Sequence, residues 1–284
     1  MVCSLSGPFH REAVSDNARA GYTRITVTLI SKANTFSGSA RAMVLAAGRG
    51  ERMRPLTDTC PKPLLQVRAH PLLYYPLQAL CKAGVSATVI NTGWLGDQIE
   101  PVLGTHFHSS KAETNPMHLL YSHEGRGAGE ALETAGGIVR ALPLLDDVFW
   151  VAAGDVFVPD FVFSAVDYDS FKASDALAHI WLVPNPTHNP QGDFGLSADG
   201  LALNVPRTTT LPLFTFSTIA LYKRVFFEAD WCDIPAGNPQ GIKAPLAPML
   251  RAAMDRGLVS ASLYDGLWVD VGTPARLAQL NADG

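Results

Sequence analysis

Residues 42–54, Ala-Met-Val-Leu-Ala-Ala-Gly-Arg-Gly-Glu-Arg-Met-Arg, run an unbroken apolar stretch straight into a loop with two glycines and three arginines. An apolar run without polar alternation reads as a strand buried on both faces, which a parallel sheet covered by helices provides. The loop that follows then lies at the carboxyl end of that strand, where open α/β sheets bind their ligands. Gly48 and Gly50 let the backbone approach a ligand closely, and Arg49, Arg52, Arg54 and the proline-flanked Lys62 offer cationic donors to phosphoryl oxygens. A dinucleotide fingerprint fails here, because Arg52-Met53 stands where a third glycine is needed, and the G-K-[ST] ending of a Walker loop is missing.

From residue 42 onward strands and helices are expected to alternate, the pattern of a Rossmann-like α/β fold with a mixed, mostly parallel central sheet flanked by helices. Strands are expected over 42–47, 87–91, 117–121 and 148–153, and helices over 71–83, 95–103 and 131–142. Beyond about residue 175, strands at 177–183, 195–204 and 213–222 precede helices at 245–256 and 274–280. Residues 1–40 mix Ser, Gly, Arg and Asn around one short apolar stretch without a signal-peptide pattern; they read as a disordered or loosely docked extension ahead of a domain spanning 41–284.

The loop and its Pro61-Lys62-Pro63-Leu64 ending resemble the signature of sugar-1-phosphate nucleotidyltransferases, which join a nucleoside triphosphate to a sugar phosphate and release pyrophosphate. The resemblance continues in order through Val89-Ile90-Asn91 with Trp94-Leu95-Gly96, Leu132-Glu133-Thr134-Ala135-Gly136-Gly137-Ile138, Gly154-Asp155-Val156, Gly192-Asp193-Phe194 and Trp268-Val269-Asp270-Val271-Gly272-Thr273. Within that family it is most similar to N-acetylmuramate-1-phosphate uridylyltransferases.

This resemblance implies roles for individual residues. Arg52 and Lys62 would stabilise charge on the triphosphate, and Asp155 and Asp270 would hold magnesium (Mg2+) through hard carboxylate oxygens. Leu45, Ala47, Gly48, Gly50, Glu133 and Thr134 would form the nucleotide pocket. Asn91, Trp94, Asp193, Thr218 and Lys243 would face the sugar. Thr218 and Glu133 stand where relatives often carry glycine, Ala135 replaces another glycine, and Ala153 replaces an asparagine. Arg54 is read as a candidate partner of Glu51, and Arg49 as solvated. The residues 106–116 and 125–130 are longer than expected and would edge the pocket. His106, His108, His118 and His123 fit no tight metal site.

Composition narrows the class further. With 284 residues, 47% of them hydrophobic, the chain can bury a large core. A net charge of −4, with cations gathered in one loop, argues against nucleic acid and for a small anionic ligand. Cys3, Cys60, Cys81 and Cys232 show no C-x-x-C spacing and read as thiols of a reducing, cytoplasmic compartment. No apolar run is long enough to span a membrane, and a monomer is the expectation. The expected partners are UTP and a sugar 1-phosphate. Guanylyl or thymidylyl transfer to a hexose 1-phosphate, and a non-catalytic nucleotide-sugar sensor, are the alternatives.

Overall fold

The computed structural model describes Phe36 and residues 40–109, 116–125 and 131–282. The expectation for residues 1–40 therefore falls almost wholly outside the described residues, as do parts of both long segments, 110–115 and 126–130. The strands are β1 (Arg41–Leu45), β2 (Gln66–Val67), β3 (His70–Pro71), β4 (Ala87–Thr92), β5 (His106–Phe107), β6 (Met117–His123), β7 (Val148–Ala153), β8 (Val156–Phe157), β9 (Ala178–Val183), β10 (Phe194–Leu196), β11 (Ala202–Leu203), β12 (Leu213–Lys223), β13 (Val259–Leu263) and β14 (Val269–Asp270). The α-helices are α1 (Tyr74–Ala83), α2 (Ile99–Leu103), α3 (Glu133–Ala141), α4 (Ala165–Ala173), α5 (Leu246–Met254) and α6 (Pro274–Ala282).

The central sheet has the order β11-β10-β12-β7-β1-β4-β6-β5, with β9 joining β12 to β13. β1 lies parallel between β7 and β4, and β4 is parallel to β6, so the first half is the expected βαβ sheet. β12 enters antiparallel against β7, which makes the whole sheet mixed. Each face of the sheet carries its own apolar layer. One contains Val44, Trp150 and Phe157 beneath α1; the other contains Met43, Phe149 and Tyr222 beneath α3 and α5. Alternate residues of β1 and β7 thus enter opposite layers, which is why neither strand shows polar alternation.

Helix α1 begins at Tyr74 and not at Pro71, because His70–Pro71 pairs with Gln66–Val67 as a hairpin and Leu72 and Leu73 are buried in the turn that follows. Gly84, in the left-handed region at φ 86°, ends α1 with its amide bonded back to Cys81 and Leu80. The expected strand at 195–204 is two strands folded back on a turn at Gly200. Helix α4 carries a weak apolar stripe of Ala165, Tyr168 and Phe171, which conceals it from periodicity, yet Ser164 caps it by accepting from the Asp167 amide.

What positions the site is a break in β12. Its first half pairs with β10 and its second half with β7, while β9 follows both; between them the register shifts at 217–219. The strand bulges there, and the sheet opens between the ends of β7 and β10.

Candidate active site

A cavity of about 720 Å3 occupies that opening at the carboxyl ends of β1, β4 and β7. Leu45, Ala47, Gly48, Gly50, Arg52, Lys62, Asn91, Glu133, Thr134, Asp155 and Thr218 all line it. Trp94, Asp193, Lys243 and Asp270 lie outside its lining.

The phosphate loop is held by its own neighbours. Three short 3-10 turns, Glu51–Met53, Leu56–Asp58 and Lys62–Leu64, fold it onto itself. Gly50 sits at φ 67°, and Thr57 donates its hydroxyl to the Gly50 carbonyl at 2.9 Å. Arg49 is not solvated: its guanidinium stacks 3.5 Å above the Trp94 ring and donates to the Thr57 carbonyl. Trp94 donates its indole N–H to the same carbonyl at 2.8 Å. Trp94 is therefore a clamp on the loop, with its indole N–H on Thr57 and its ring face under Arg49. Arg54 pairs with Asp58 at 2.9 Å, whereas Glu51 meets Arg49, reversing the pairing expected from sequence. With these two arginines engaged, Arg52 remains exposed and without a hydrogen bond or ion pair among the described residues, which leaves it available to an anionic ligand.

Lys62 is buried to 8% exposure and holds Asp155 Oδ2 at 2.6 Å. The helical turn at Lys62–Leu64 and Pro61 fix its backbone, so the ammonium reaches across to the end of β7 from a rigid base. Asp155 heads the β8 strand, and β8 pairs antiparallel with β14, placing Asp270 opposite Val156. The Val271 amide donates to the Asp155 carbonyl at 3.1 Å, so a two-stranded ribbon brings both aspartates side by side. Gly272 belongs at this crossing: a Cβ there would stand 3.0 Å from Asp270 Oδ1 and 3.2 Å from Arg52 Nη2. The missing side chain lets the arginine and the carboxylate come together. No group of three His, Cys, Asp or Glu side chains among the described residues forms a cage for a metal. Two carboxylates at the same ribbon, each keeping one oxygen without a hydrogen bond among the described residues, fit magnesium nonetheless, because that ion is held by one or two carboxylates plus phosphates and water.

Sequence reasoning missed the residue that ties the loop end of the cavity together. Glu124 is 7% exposed at the end of β6 and accepts from Asn91 Nδ2 at 2.6 Å and from the Leu132 amide at 2.8 Å. Asn91 in turn accepts from the Ala46 amide at 2.6 Å. Burial pushes the Glu124 carboxyl above its ordinary range, opposed by those two hydrogen bonds and by the charge of Arg140. The available signal was a carboxylate following a strand, Met117–His123, at the ligand-binding end of the sheet. Asn91 lines the cavity, but its amide serves this chain of bonds, which joins the phosphate loop, β6 and the start of α3.

The other end of the cavity is mainly apolar, walled by Val151, Phe194, Phe216, Tyr222, Leu246 and Leu250. Asp193 does not face it. Its two carboxylate oxygens accept from Asn189 at 3.2 Å and from the Phe216 amide at 3.0 Å, so it pins the β9–β10 connection to β12. Thr218 does face it, at φ 67° in the bulge, with its hydroxyl donated to the Ser217 carbonyl. Glu133 also lines the cavity at φ 60°. The left-handed region favours glycine at both positions.

Residues 41–283 match the family described as Nucleotidyl transferase. The chain belongs to the nucleotidyl transferase family. Among curated relatives, the N-acetylmuramate alpha-1-phosphate uridylyltransferase of Neisseria meningitidis serogroup B is 44% identical over 248 residues, covering 85% of this chain and 97% of the relative. The enzyme of the same name from Caulobacter vibrioides is 33% identical over 84% of this chain and 94% of the relative. Among solved structures, the inositol-1-phosphate CTP transferase of T. maritima superposes with a TM-score of 0.61 at 17% identity, covering 87% of this chain and 97% of that one. A Bacillus anthracis structure in complex with sucrose gives a TM-score of 0.64 at 20% identity, over 86% of this chain and 94% of its own. At those identities the solved structures speak to the fold alone, which they share. No helix among the described residues of this family member is long and apolar enough to cross a membrane.

Proposed function

We propose that the chain transfers a uridylyl group from UTP to N-acetylmuramate 1-phosphate, forming the UDP-sugar and releasing pyrophosphate. The observation that carries this reading is the division of one cavity into a cationic and carboxylate-edged mouth and an apolar end. Arg52, Lys62 and the loop amides suit a triphosphate; an apolar wall suits a sugar whose acetamido and lactyl groups carry methyls better than a bare hexose. Similarity to the Neisseria and Caulobacter proteins supports the same sugar and base.

An oxygen of the sugar 1-phosphate attacks the α-phosphorus of UTP. As that P–O bond forms, the bond from the α-phosphorus to the α,β-bridging oxygen breaks, and pyrophosphate leaves with the electron pair. No covalent enzyme intermediate is required, so positioning and charge stabilisation carry the rate. Arg52, unpaired in the loop, neutralises the triphosphate. Lys62 transfers its attention from Asp155 to phosphoryl oxygens when the triphosphate enters, which frees the Asp155 carboxylate. Bound magnesium, held by Asp155 and Asp270, would supply further charge neutralisation on the phosphates. The main chain of Leu45, Ala47 and Gly48 reads the uracil edge, with Glu133 and Thr134 closing that side. Asp193 and Trp94 act behind the walls, and Lys243, in the segment leading to α5, approaches the sugar side from outside the lining.

Pyrophosphate release measured with UTP against a panel of sugar 1-phosphates tests the reading. N-acetylmuramate 1-phosphate should give the highest kcat/KM; equal release with glucose 1-phosphate would refute the assignment of the apolar end.

A further inference from the structure

Asp270 sits on a strand of two residues, too short to hold a side chain still by itself. Its carboxylate is nonetheless fixed by two side chains from elsewhere. Arg276 Nη1 donates to Asp270 Oδ2 at 2.9 Å and to the Asp270 main-chain carbonyl at 2.7 Å, fixing backbone and side chain together. His188 Nε2 lies 3.2 Å from the same Oδ2 and 3.3 Å from the Arg276 guanidinium, closing a triangle. Both partners are themselves anchored. Arg276 lies in the first turn of α6, where its amide donates to Thr273 Oγ1, and His188 precedes Asn189, which donates to Asp193 and Thr215. All this holds Oδ2, while Oδ1 has no hydrogen bond among the described residues; both oxygens lie beside Gly272, at 3.0 and 3.2 Å from the position of a Cβ there.

We infer that Arg276 and His188 are positioning residues that engage one oxygen of Asp270 and so present the other to the divalent cation. The inference rests on the proposed role of Asp270 as a metal ligand. A neighbouring guanidinium reduces the negative charge that a cation meets, but magnesium and manganese bind through a narrow geometry, and the outer partners of a metal ligand contribute mainly by orienting it. Orientation is the larger effect here, because the two-residue strand provides little of its own.

The test is Mn2+ titrated into the full-length protein in the presence of UDP-N-acetylmuramate, with free Mn2+ read by electron paramagnetic resonance, for wild type, Arg276→Gln, His188→Asn and Asp270→Asn. Arg276→Gln is expected to weaken Mn2+ binding about tenfold, the lower edge of what loss of an outer partner costs, and His188→Asn less, about threefold, because it makes one contact to Asp270 where Arg276 makes two. The melting temperature of each variant serves as a fold control, and His188, on a surface connection, carries the test if Arg276→Gln does not fold. A general loosening of structure would lower the melting temperature without a selective loss of Mn2+. Unchanged or tighter binding in both partner variants, with Asp270→Asn weakened, would overturn the inference and leave the metal reading standing. Unchanged binding in all three would remove Asp270 from the metal and overturn both.

Discussion

The two ends of the cavity are held together in different ways. At the nucleotide end, Thr57 reaches back to Gly50, Arg49 to Thr57 and Arg54 to Asp58, each within nine residues along the chain. At the sugar end, Trp268 donates to the Ser217 carbonyl across 51 residues, and Arg251 to the Asp193 carbonyl across 58. The candidate phosphate loop carries short-range bonds of its own, to which Trp94, Asn91 and Asp155 add contacts from far along the chain. The apolar wall, where the sugar is proposed to bind, exists only once β12, β10, α5 and the β14 ribbon have assembled. A turn with short-range bonds of its own keeps part of its shape when distant elements shift, whereas an assembled wall is altered by a shift in any of its parts.

The largest effect should come from the nucleotide end. Lys62→Ala is expected to lower kcat/KM by about 10^2- to 10^3-fold, the range for losing one preorganised donor to developing charge. Steady-state pyrophosphate release with each sugar 1-phosphate checks it. The loss should be the same for every sugar, and a loss confined to one sugar would dissolve the distinction between the two ends.

Acid should act on the other face of the sheet, where His179 meets Trp181 and Ser260 away from the cavity's apolar wall. Burial lowers the pKa of His179, on β9 beside β12, to about 4. The unfolded chain binds a proton there near pH 6.5, so folding free energy is lost as pH falls from about 6.5 toward 4, by at most about 3 kcal/mol. Urea unfolding at pH 7 and pH 4.5 should show this slope in wild type and a shallower one in His179→Gln.

Gly137→Ala probes the bond chain behind the base. In an ordinary helix alanine would be favoured by about 1 kcal/mol. Here a Cβ would stand 2.3 Å from Glu124 Oε1, with Asn91 at 3.1 Å, and the buried carboxylate cannot retreat into water. Overpacking should win, with a net loss of about 2 kcal/mol in denaturant unfolding and a weaker affinity for UTP.

The smallest effect, and the most telling for the sugar end, is Thr218→Gly. Releasing a left-handed threonine gains about 1–2 kcal/mol, and glycine's freedom in the unfolded chain returns about 0.5–1 kcal/mol of it. A net stabilisation of about 0.5–1 kcal/mol is expected, with a changed ratio of kcat/KM between N-acetylmuramate and N-acetylglucosamine 1-phosphates. A stabilised variant with an unchanged ratio would separate Thr218 from specificity.

The same contrast explains what could be read from the chain. The β1 strand, the loop glycines, Lys62 between its prolines and the aspartate after β7 are legible because their determinants are adjacent in sequence. Arg49 was misread as solvated because its ring partner, Trp94, stands in the turn after β4, far along the chain from the loop. Glu124 was overlooked behind a stretch taken as an insertion. Asp193 looks like a ligand contact, yet its oxygens serve a long-range anchor to Phe216 that no local pattern encodes. His188, Arg276 and Ser217 carry no motif, since what singles them out is the ribbon that brings Asp270 beside Asp155. The positive φ at Thr218 and Glu133 is the reverse case: the expectation of glycine at those positions corresponds to a backbone conformation that the fold imposes.

The most direct test of uridylyl transfer is pyrophosphate release by the purified protein with Mg2+, UTP and N-acetylmuramate 1-phosphate, run beside the other nucleoside triphosphates and sugar 1-phosphates. Release should be greatest with that pair and should fall in Lys62→Ala. Nucleotide-sugar binding without pyrophosphate release from any pair would contradict it and identify the chain as a sensor that keeps the family's fold without its reaction.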